Sequence, residues 1–319
     1  MRLNTFNKSL ILLIITTLIL VIILTFNSFA KNFISRLIFS HDLSLLTKTI
    51  IKQIDINTTF DVYDKKNNEI AVKKIHNYVY DSFKPNISKL TDDGVSWLML
   101  YGTVWCDGVS HIFMRLLEEL NVRAYIVFLN GKNAFTDGAR SHTVSFVDFN
   151  NYYEDKIDTN SVYTNSDLKN LYMYDTQNNY LPYNEENELV NIEYVFKNKN
   201  EFEHYDFISQ PIGALPNNLI LLEKNTKIFL KNRLPSEYSL VNKFSSLIVK
   251  IIPVNYMKFI FKFGIYINPK LDDEYKQFFY ARLDHLLLDI DKAIVNYKKL
   301  GDEGVEFTTK YCLQNECPI

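Results

Sequence analysis

The sequence predicts an α+β protein in which a cysteine-bearing helix packs on an antiparallel sheet, with an N-terminal membrane helix before it and a helical C-terminal region after it. Three patterns carry this expectation. Residues 107–120 hold Val109, Ile112, Phe113, Leu116, Leu117 and Leu120 at three- and four-residue steps, the apolar stripe of an amphipathic helix. Residues 122–130 and 141–147 alternate apolar with polar, the two-residue period of strands. Residues 272–300 return to helical spacing, with Tyr275, Phe278, Phe279, Leu283, Leu286, Leu287, Ile290, Ile294 and Tyr297 on one stripe that ends before Gly301.

From the N-terminus, residues 10–26 form an uncharged apolar run, with Arg2 and Lys8 before it and Lys31 and Arg36 after it. The run is at the short end of a membrane span, which needs about 17–25 residues, and long for a signal-peptide core of about 7–15. It is read as a signal anchor; the alternative is a signal peptide cleaved after Ala30, behind the small residues Ser28 and Ala30. Both place the rest of the chain outside the cytoplasm, because a basic N-terminus favours the inside. The expected location is therefore membrane-anchored and extracytoplasmic, at the periplasm or cell surface. Residues 31–59 then predict a helical stalk or leading helix, 60–205 the central α+β domain and 206–319 the helical C-terminal region. Turn formers cluster at residues 210–216, near that last boundary.

Within the central domain, Cys106 stands at the start of the amphipathic helix, on the edge of its buried stripe, with Asp107, His111, Arg115 and Glu118 on the other side. A thiol there meets free backbone N–H groups and the positive end of the helix dipole, which favour thiolate over thiol. The same N–H groups suit a developing oxyanion. Alternation over residues 141–147 places His142 with Val144 and Phe146 on the apolar face, expected to meet the Cys106 helix, and Thr143 and Ser145 on the other. Asp148-Phe149-Asn150-Asn151 predicts a hairpin turn, with residues 152–158 returning as the partner strand. A three-residue loop sets Asp158 opposite His142, whereas a two-residue turn leaves Asp155 as a second candidate. The order Cys106, His142, Asp158 suits a thiol nucleophile, a general base and the carboxylate that orients it. Trp97 and Trp105, just upstream, either wall the cleft or belong to an aromatic core.

Gly102, Cys106, Gly108, Ser110, Phe113, Leu116 and Leu117, then a histidine on a strand, then a segment ending Ile157-Asp158-Thr159, together resemble the transglutaminase-like superfamily. The helix expected over residues 70–83, with Ala71, Ile75 and Val79 at helical spacing, is similar to the one this family places before its cysteine. The resemblance covers residues 65–165, about a third of the chain. It implies a papain-like core in which Cys106 is nucleophile, His142 base and Asp158 orienter. It also implies acyl chemistry on an amide or ester of a protein or peptide-like substrate, through a thioester and without a cofactor. Where the family often has an aromatic residue after the histidine and a proline after the aspartate, this chain has Thr143 and Thr159. The family also contains members without known activity, so a non-catalytic binding or scaffold module at the cell envelope is the alternative.

The remaining segments say less. Residues 131–138 form a polar loop before the histidine strand, 163–183 an Asn-, Asp- and Tyr-rich irregular stretch, and 188–196 a further strand. Residues 244–267 are apolar but broken by Lys250, Pro253, Lys258 and Lys262; they suit either an interfacial membrane pair or packing within the C-terminal region. Three cysteines occur; Cys312 and Cys317 either close a small disulfide loop in an oxidising compartment, which leaves Cys106 unpaired, or stay as two idle thiols in the tail. No metal-ligand spacing is present, and no metal or cofactor is expected. The 47% hydrophobic content supports a sizeable core, and a net charge of −2 gives no electrostatic footprint for nucleic acid. Only 9 Gly and 8 Pro, against abundant Asn, Lys, Ile and Tyr, match an AT-rich bacterial genome.

Overall fold

The computed structural model describes residues 27–40, 43–54, 65–85, 95–104, 106–120, 122–130, 141–152, 170–198 and 235–300. They form an α+β structure, mostly helical, with a small antiparallel sheet. The run at 10–26, the loop at 131–138, Trp105, Asp155, Asp158, the boundary at 210–216, Cys312 and Cys317 lie outside the described residues.

In chain order the elements are α1 (Ser28–Ile38), α2 (Leu45–Gln53), α3 (Lys65–Ser82), β1 (Lys84–Pro85), α4 (Val95–Tyr101), β2 (Thr103–Val104) and α5 (Cys106–Glu118). Then follow β3 (Val122–Asn130), β4 (Ser141–Tyr152), β5 (Leu171–Tyr174), α6 (Ile192–Lys197), α7 (Pro235–Ile251), α8 (Val254–Ile267), α9 (Asp273–Leu286) and α10 (Ile290–Lys298). The sheet order is β3-β4-β5, antiparallel throughout, and α5 packs on β3 and β4. A short parallel pair joins β1 to β2, fixing the end of α3 beside the segment that enters α5.

The expected hairpin at residues 148–151 is not a hairpin. β4 runs on to Tyr152, with Asp148 opposite Arg123 on one side and Leu171 on the other. The register jumps between Val122 and Arg123, which pair with Tyr152 and Asp148. The asparagines therefore mark an irregularity in a paired strand, where extra residues are accommodated without reversing the chain. The partner strand comes later: β5 lies inside the stretch expected to be irregular. Residues 188–196, expected as a strand, instead make isolated bridges at Leu189 and Asn191 and then α6, whose first turn Asn191 caps through Tyr194 N at 2.9 Å.

The facing of β4 is also corrected. Ser145 pairs with Tyr174, whose ring lies 5.5 Å from Phe113 of α5, so the face carrying Thr143 and Ser145 packs on the cysteine helix. Val144 and Phe146 are equally buried, on the opposite face with Met173. A central strand buried on both sides gives alternation no solvent side to report.

One core runs through most of these elements. Leu46 and Ile50 of α2, Ile75 and Val79 of α3, Met99 of α4, Ile112 and Leu116 of α5, Phe261 of α8 and Phe279 and Leu283 of α9 are all buried in it. Within the segment expected as a stalk or leading helix, α1 and α2 contribute to the same interior. Phe39, just after α1, stacks against Trp97 at 4.7 Å and Phe261 at 5.8 Å, which makes Trp97 a core residue. The single stripe expected over 272–300 is two helices packed on each other. Leu288, at φ +56°, turns the chain between them with no Gly or Pro to announce the break. Lys258, which looked like an interruption, is buried in ion pairs with Asp284 and Asp289, both at 2.5 Å.

Gly102 has a backbone reason for its identity. It sits at φ +71° in the turn between α4 and β2, and a Cβ there would stand 2.4 Å from Nε of buried Arg282. Arg282 Nη2 donates to the Met99 carbonyl at 3.1 Å, tying α9 to the same turn. Gly102→Ala is expected to lower unfolding free energy by about 1–3 kcal/mol, from left-handed strain and the clash together, read as a lower urea midpoint at unchanged slope.

Candidate functional site

Cys106 is the first residue of α5 and is partly exposed. Two glycine and serine positions of its motif have steric explanations. A Cβ at Gly108 would stand 3.1 Å from Cβ of Val104, so glycine lets β2 press against the first turn of the helix. Ser110 Oγ donates to the Thr143 carbonyl at 3.3 Å, pinning α5 to the strand that carries the histidine. Asp107 Oδ1 accepts from Gly108 N at 2.8 Å inside the same turn.

The structure brings Cys106 and His142 together, as the sequence led us to expect. The thiol lies close enough to His142 and Thr143 for both residues to lower its pKa. Two consecutive strand residues reach one sulfur because the helix begins beside the start of β4.

Asp158 lies outside the described residues, and a different carboxylate occupies the orienting position. His142 Nε2 lies 2.8 Å from Asp175 Oδ2. Asp175 directly follows β5, which pairs with β4, so the sheet itself delivers histidine and aspartate to one place. The carboxylate is fully buried and well supplied with donors. Its Oδ1 accepts from Gln177 N and Asn178 N, each at 3.2 Å, and its Oδ2 accepts from Asn178 Nδ2 at 2.8 Å. A buried carboxylate with this many donors is held in one orientation. Asn178 Nδ2 also lies 3.3 Å from His142 Nε2, so it covers the histidine–aspartate contact. The turn was signalled by Leu171-Tyr172-Met173-Tyr174-Asp175, a short run of strand formers ending in an Asx residue, but a four-residue strand gives little periodicity.

A second histidine, unremarked in the sequence, props this turn from below. His76 of α3 is buried edge-on to Tyr174 at 5.6 Å and Phe113 at 6.1 Å, and its Nε2 meets Asn179 Oδ1 at 3.1 Å. Burial lowers its pKa to about 4, partly opposed by the Asn179 hydrogen bond, so it is neutral near pH 7.

The electrostatics of the pair point one way. Burial raises the Cys106 pKa, but hydrogen bonds with His142 and Thr143 and the charge of His142 outweigh it, and the thiol falls below its ordinary value. Burial likewise pushes His142 down, but hydrogen bonds to Asp175 and Cys106 and their negative charges raise it to about 9. Both shifts favour a thiolate beside an imidazolium over the neutral pair, and the thiolate is the nucleophilic form of cysteine. Among the described residues no cluster of His, Cys, Asp and Glu is arranged to hold a metal ion. Compared with known proteins, the chain matches no family model, no curated protein and no solved structure.

Alkylation of Cys106 by iodoacetamide should rise with pH through an inflection below that of a free thiol, and His142→Ala should move that inflection up. Because the groups are coupled, the inflections belong to the pair. Asp175→Asn should lower the His142 pKa, read by NMR titration of the ring protons. The two histidines have opposite linkage to stability. His142, raised to about 9, contributes stability that is complete below about 6.5 and lost as pH rises through 9; His76, lowered to about 4, favours the fold above about 6.5 and withdraws that support as pH falls towards 4. His76→Gln should therefore flatten the loss of stability between pH 6.5 and 4, measured by urea unfolding across that range.

Proposed function

We propose that this chain is a transglutaminase-like cysteine hydrolase, held at the outer face of a membrane, that cleaves an amide or ester bond through Cys106, His142 and Asp175. The observation that carries this reading is the His142 Nε2–Asp175 Oδ2 contact of 2.8 Å behind a histidine that also meets the Cys106 thiol. Support for the papain-like core is the cysteine at the N-terminus of α5, packed on an antiparallel sheet whose adjacent strands supply the other two residues.

In the proposed reaction the Cys106 thiolate attacks the carbonyl carbon of a protein or peptide-like substrate. The carbonyl oxygen gains the electron pair and is met by backbone N–H groups at the start of α5. As the tetrahedral centre collapses, the bond to the leaving amine or alkoxide breaks, and imidazolium His142 gives that group its proton. The thioester on Cys106 is then attacked by water or an amine, whose proton passes to neutral His142; release of the product restores the thiolate and imidazolium. Asp175 accepts from Nε2–H throughout. With Nε2 engaged there, Nδ1 is the ring nitrogen left to exchange protons at the sulfur. No metal or cofactor is needed for these steps.

Incubation with p-nitrophenyl acetate at pH 7, followed by peptide mass mapping, should find an acetyl group on Cys106 that turns over with time. Cys106→Ala should remove it, His142→Ala should slow its formation by about 10²–10⁴, and Asp175→Ala should act in the same direction. A Cys106 that is unacylated, or acylated at a rate indifferent to His142, would replace the enzyme with a non-catalytic binding module.

A further inference from the structure

We infer that α1, α7 and α8 together form a collar that rests in the surface of an anionic bilayer, so that the chain meets the membrane through its folded body. This deepens, and rests on, the membrane-anchored part of the reading above. Among the described residues, ten of the thirteen exposed large hydrophobic side chains lie on these three helices. On α1 they are Phe29, Phe33 and Leu37, at four-residue steps along one face, with Phe29 77% exposed. On α7 they are Val241, Phe244, Leu247 and Ile251, again on one face. On α8 they are Tyr256, Phe259 and Tyr266, with Phe259 69% exposed.

The opposite faces of the same helices are already spent on the core. Ile38, Val249, Met257, Phe261 and Ile265 are buried. Each helix is thus apolar on two sides, a pattern that water does not stabilise and a bilayer interface does. Exposed apolar surface concentrated in this way marks an interaction site, whereas scattered single residues do not.

Three observations select lipid as the partner. The apolar run at residues 10–26 ends immediately before Asn27, which caps α1 through Phe29 N at 2.9 Å, so a run inserted in a bilayer leaves α1 at its surface. At about 1.5 Å per residue, the whole of this short helix stays within reach of that surface. Charge agrees. Lys258 and Lys262 are taken up by Asp284 and Asp289 within the fold, which leaves Lys31, Arg36, Lys243 and Lys250 on α1 and α7 against one acidic residue, Glu237. Basic residues beside an apolar face favour anionic headgroups, and tyrosines suit the interfacial zone. No single described helix is long and apolar enough to cross a membrane; Lys243–Ile251 of α7 and α8 reach that length and apolarity only together, across a bend of 118°, which suits a pair that dips into the interface.

The helices are locked to the rest of the molecule. A Cβ at Gly264 of α8 would stand 3.0 Å from Phe39 and 3.1 Å from Ile38, so glycine allows α1 to close on α8. Lys52 of α2 donates to the carbonyls of Val249 at 2.7 Å and Ile252 at 3.0 Å, fixing the bend between α7 and α8.

The test uses the full chain reconstituted in vesicles of phosphatidylglycerol and phosphatidylethanolamine bearing brominated acyl chains. Tryptophan is introduced singly by Phe33→Trp, Leu247→Trp and Phe259→Trp, with Ile70→Trp as an exposed control on α3. Loss of most of the added fluorescence at the three sites, and none at Ile70, is the expected result. Equal fluorescence at all four overturns the collar, as does protection by a second copy, detected as crosslinks between chains through these positions. Alkaline carbonate extraction of the same vesicles separates the two claims. A chain that resists extraction without quenching keeps the anchor and loses the collar; a quenched chain that is extracted keeps the collar and loses the anchor.

Discussion

A carboxylate with no exposure to water, Asp175, organises the candidate site, because a buried charge of this kind survives only where donors surround it. Two backbone N–H groups, the Asn178 amide and the His142 ring supply them. The requirement works in both directions. The turn after β5 must close as an Asx turn to present its N–H groups, and the imidazole must turn Nε2 towards the carboxylate. That orientation leaves the rest of the ring for the sulfur at the start of α5. The imidazole is thus held in one orientation by the fold itself, which is the condition for a histidine to exchange protons at a fixed point. The electrostatic consequence is cooperative: the negative charges of Asp175 and Cys106 hold the proton on His142, and that proton in turn stabilises the thiolate.

Much of this was legible in the residues. The helix beginning at Cys106 and the strand at Val122–Asn130 follow from apolar periodicity, whereas Cys106 and His142 come together at the start of β4 although the face expected to meet the helix is the opposite one. The third residue was not legible, for a specific reason. Asp148-Phe149-Asn150-Asn151 has the chemistry of a turn, and reading it so makes residues 152–158 the partner strand and Asp158 the natural orienter. In the folded chain β4 has neighbours on both sides, and that pairing overrides local turn preference. The true partner, β5, is four residues long and set among asparagines, too short for alternation to announce it. Burial on both faces also explains the reversed facing of β4, since Val144 and Val147 are equally hidden.

Long-range packing is what sequence shows least. The segments read as a stalk or leading helix and as a helical C-terminal region share one interior, because sequence reports each helix's own stripe and not what it packs on. Lys258 and Lys262 break an apolar stretch in sequence, yet both reach Asp284, a fully buried carboxylate on the next helix. A helix whose lysines find buried partners can lie inside a core without the even apolar pattern that would advertise it. Leu288 hides a chain reversal in the same way, because a leucine at positive φ carries no signal of its own.

These distant contacts bear directly on the chemistry. Arg282, on α9, holds the Met99 carbonyl, packs over the ring of Phe83 at 5.2 Å, and lies against Gly102. Phe83 stands between α3 and β1, and Gly102 between α4 and β2, so one guanidinium touches both segments that β1 and β2 pair together. Val104, the last residue of β2, then packs on Gly108 in the first turn of α5. The position of the thiol is therefore set from the C-terminal helices as well as from the sheet. A displacement of α9 would be transmitted to Cys106 through rigid, buried contacts, because packed side chains leave no void in which to absorb it. With the proposed bilayer contact, the C-terminal helices would serve two surfaces at once, the inner one fixing where the Cys106 thiol stands and the outer one offering apolar side chains to lipid. That shared scaffold would fix the height of the thiol above the membrane, and hence which carbonyl groups it can reach.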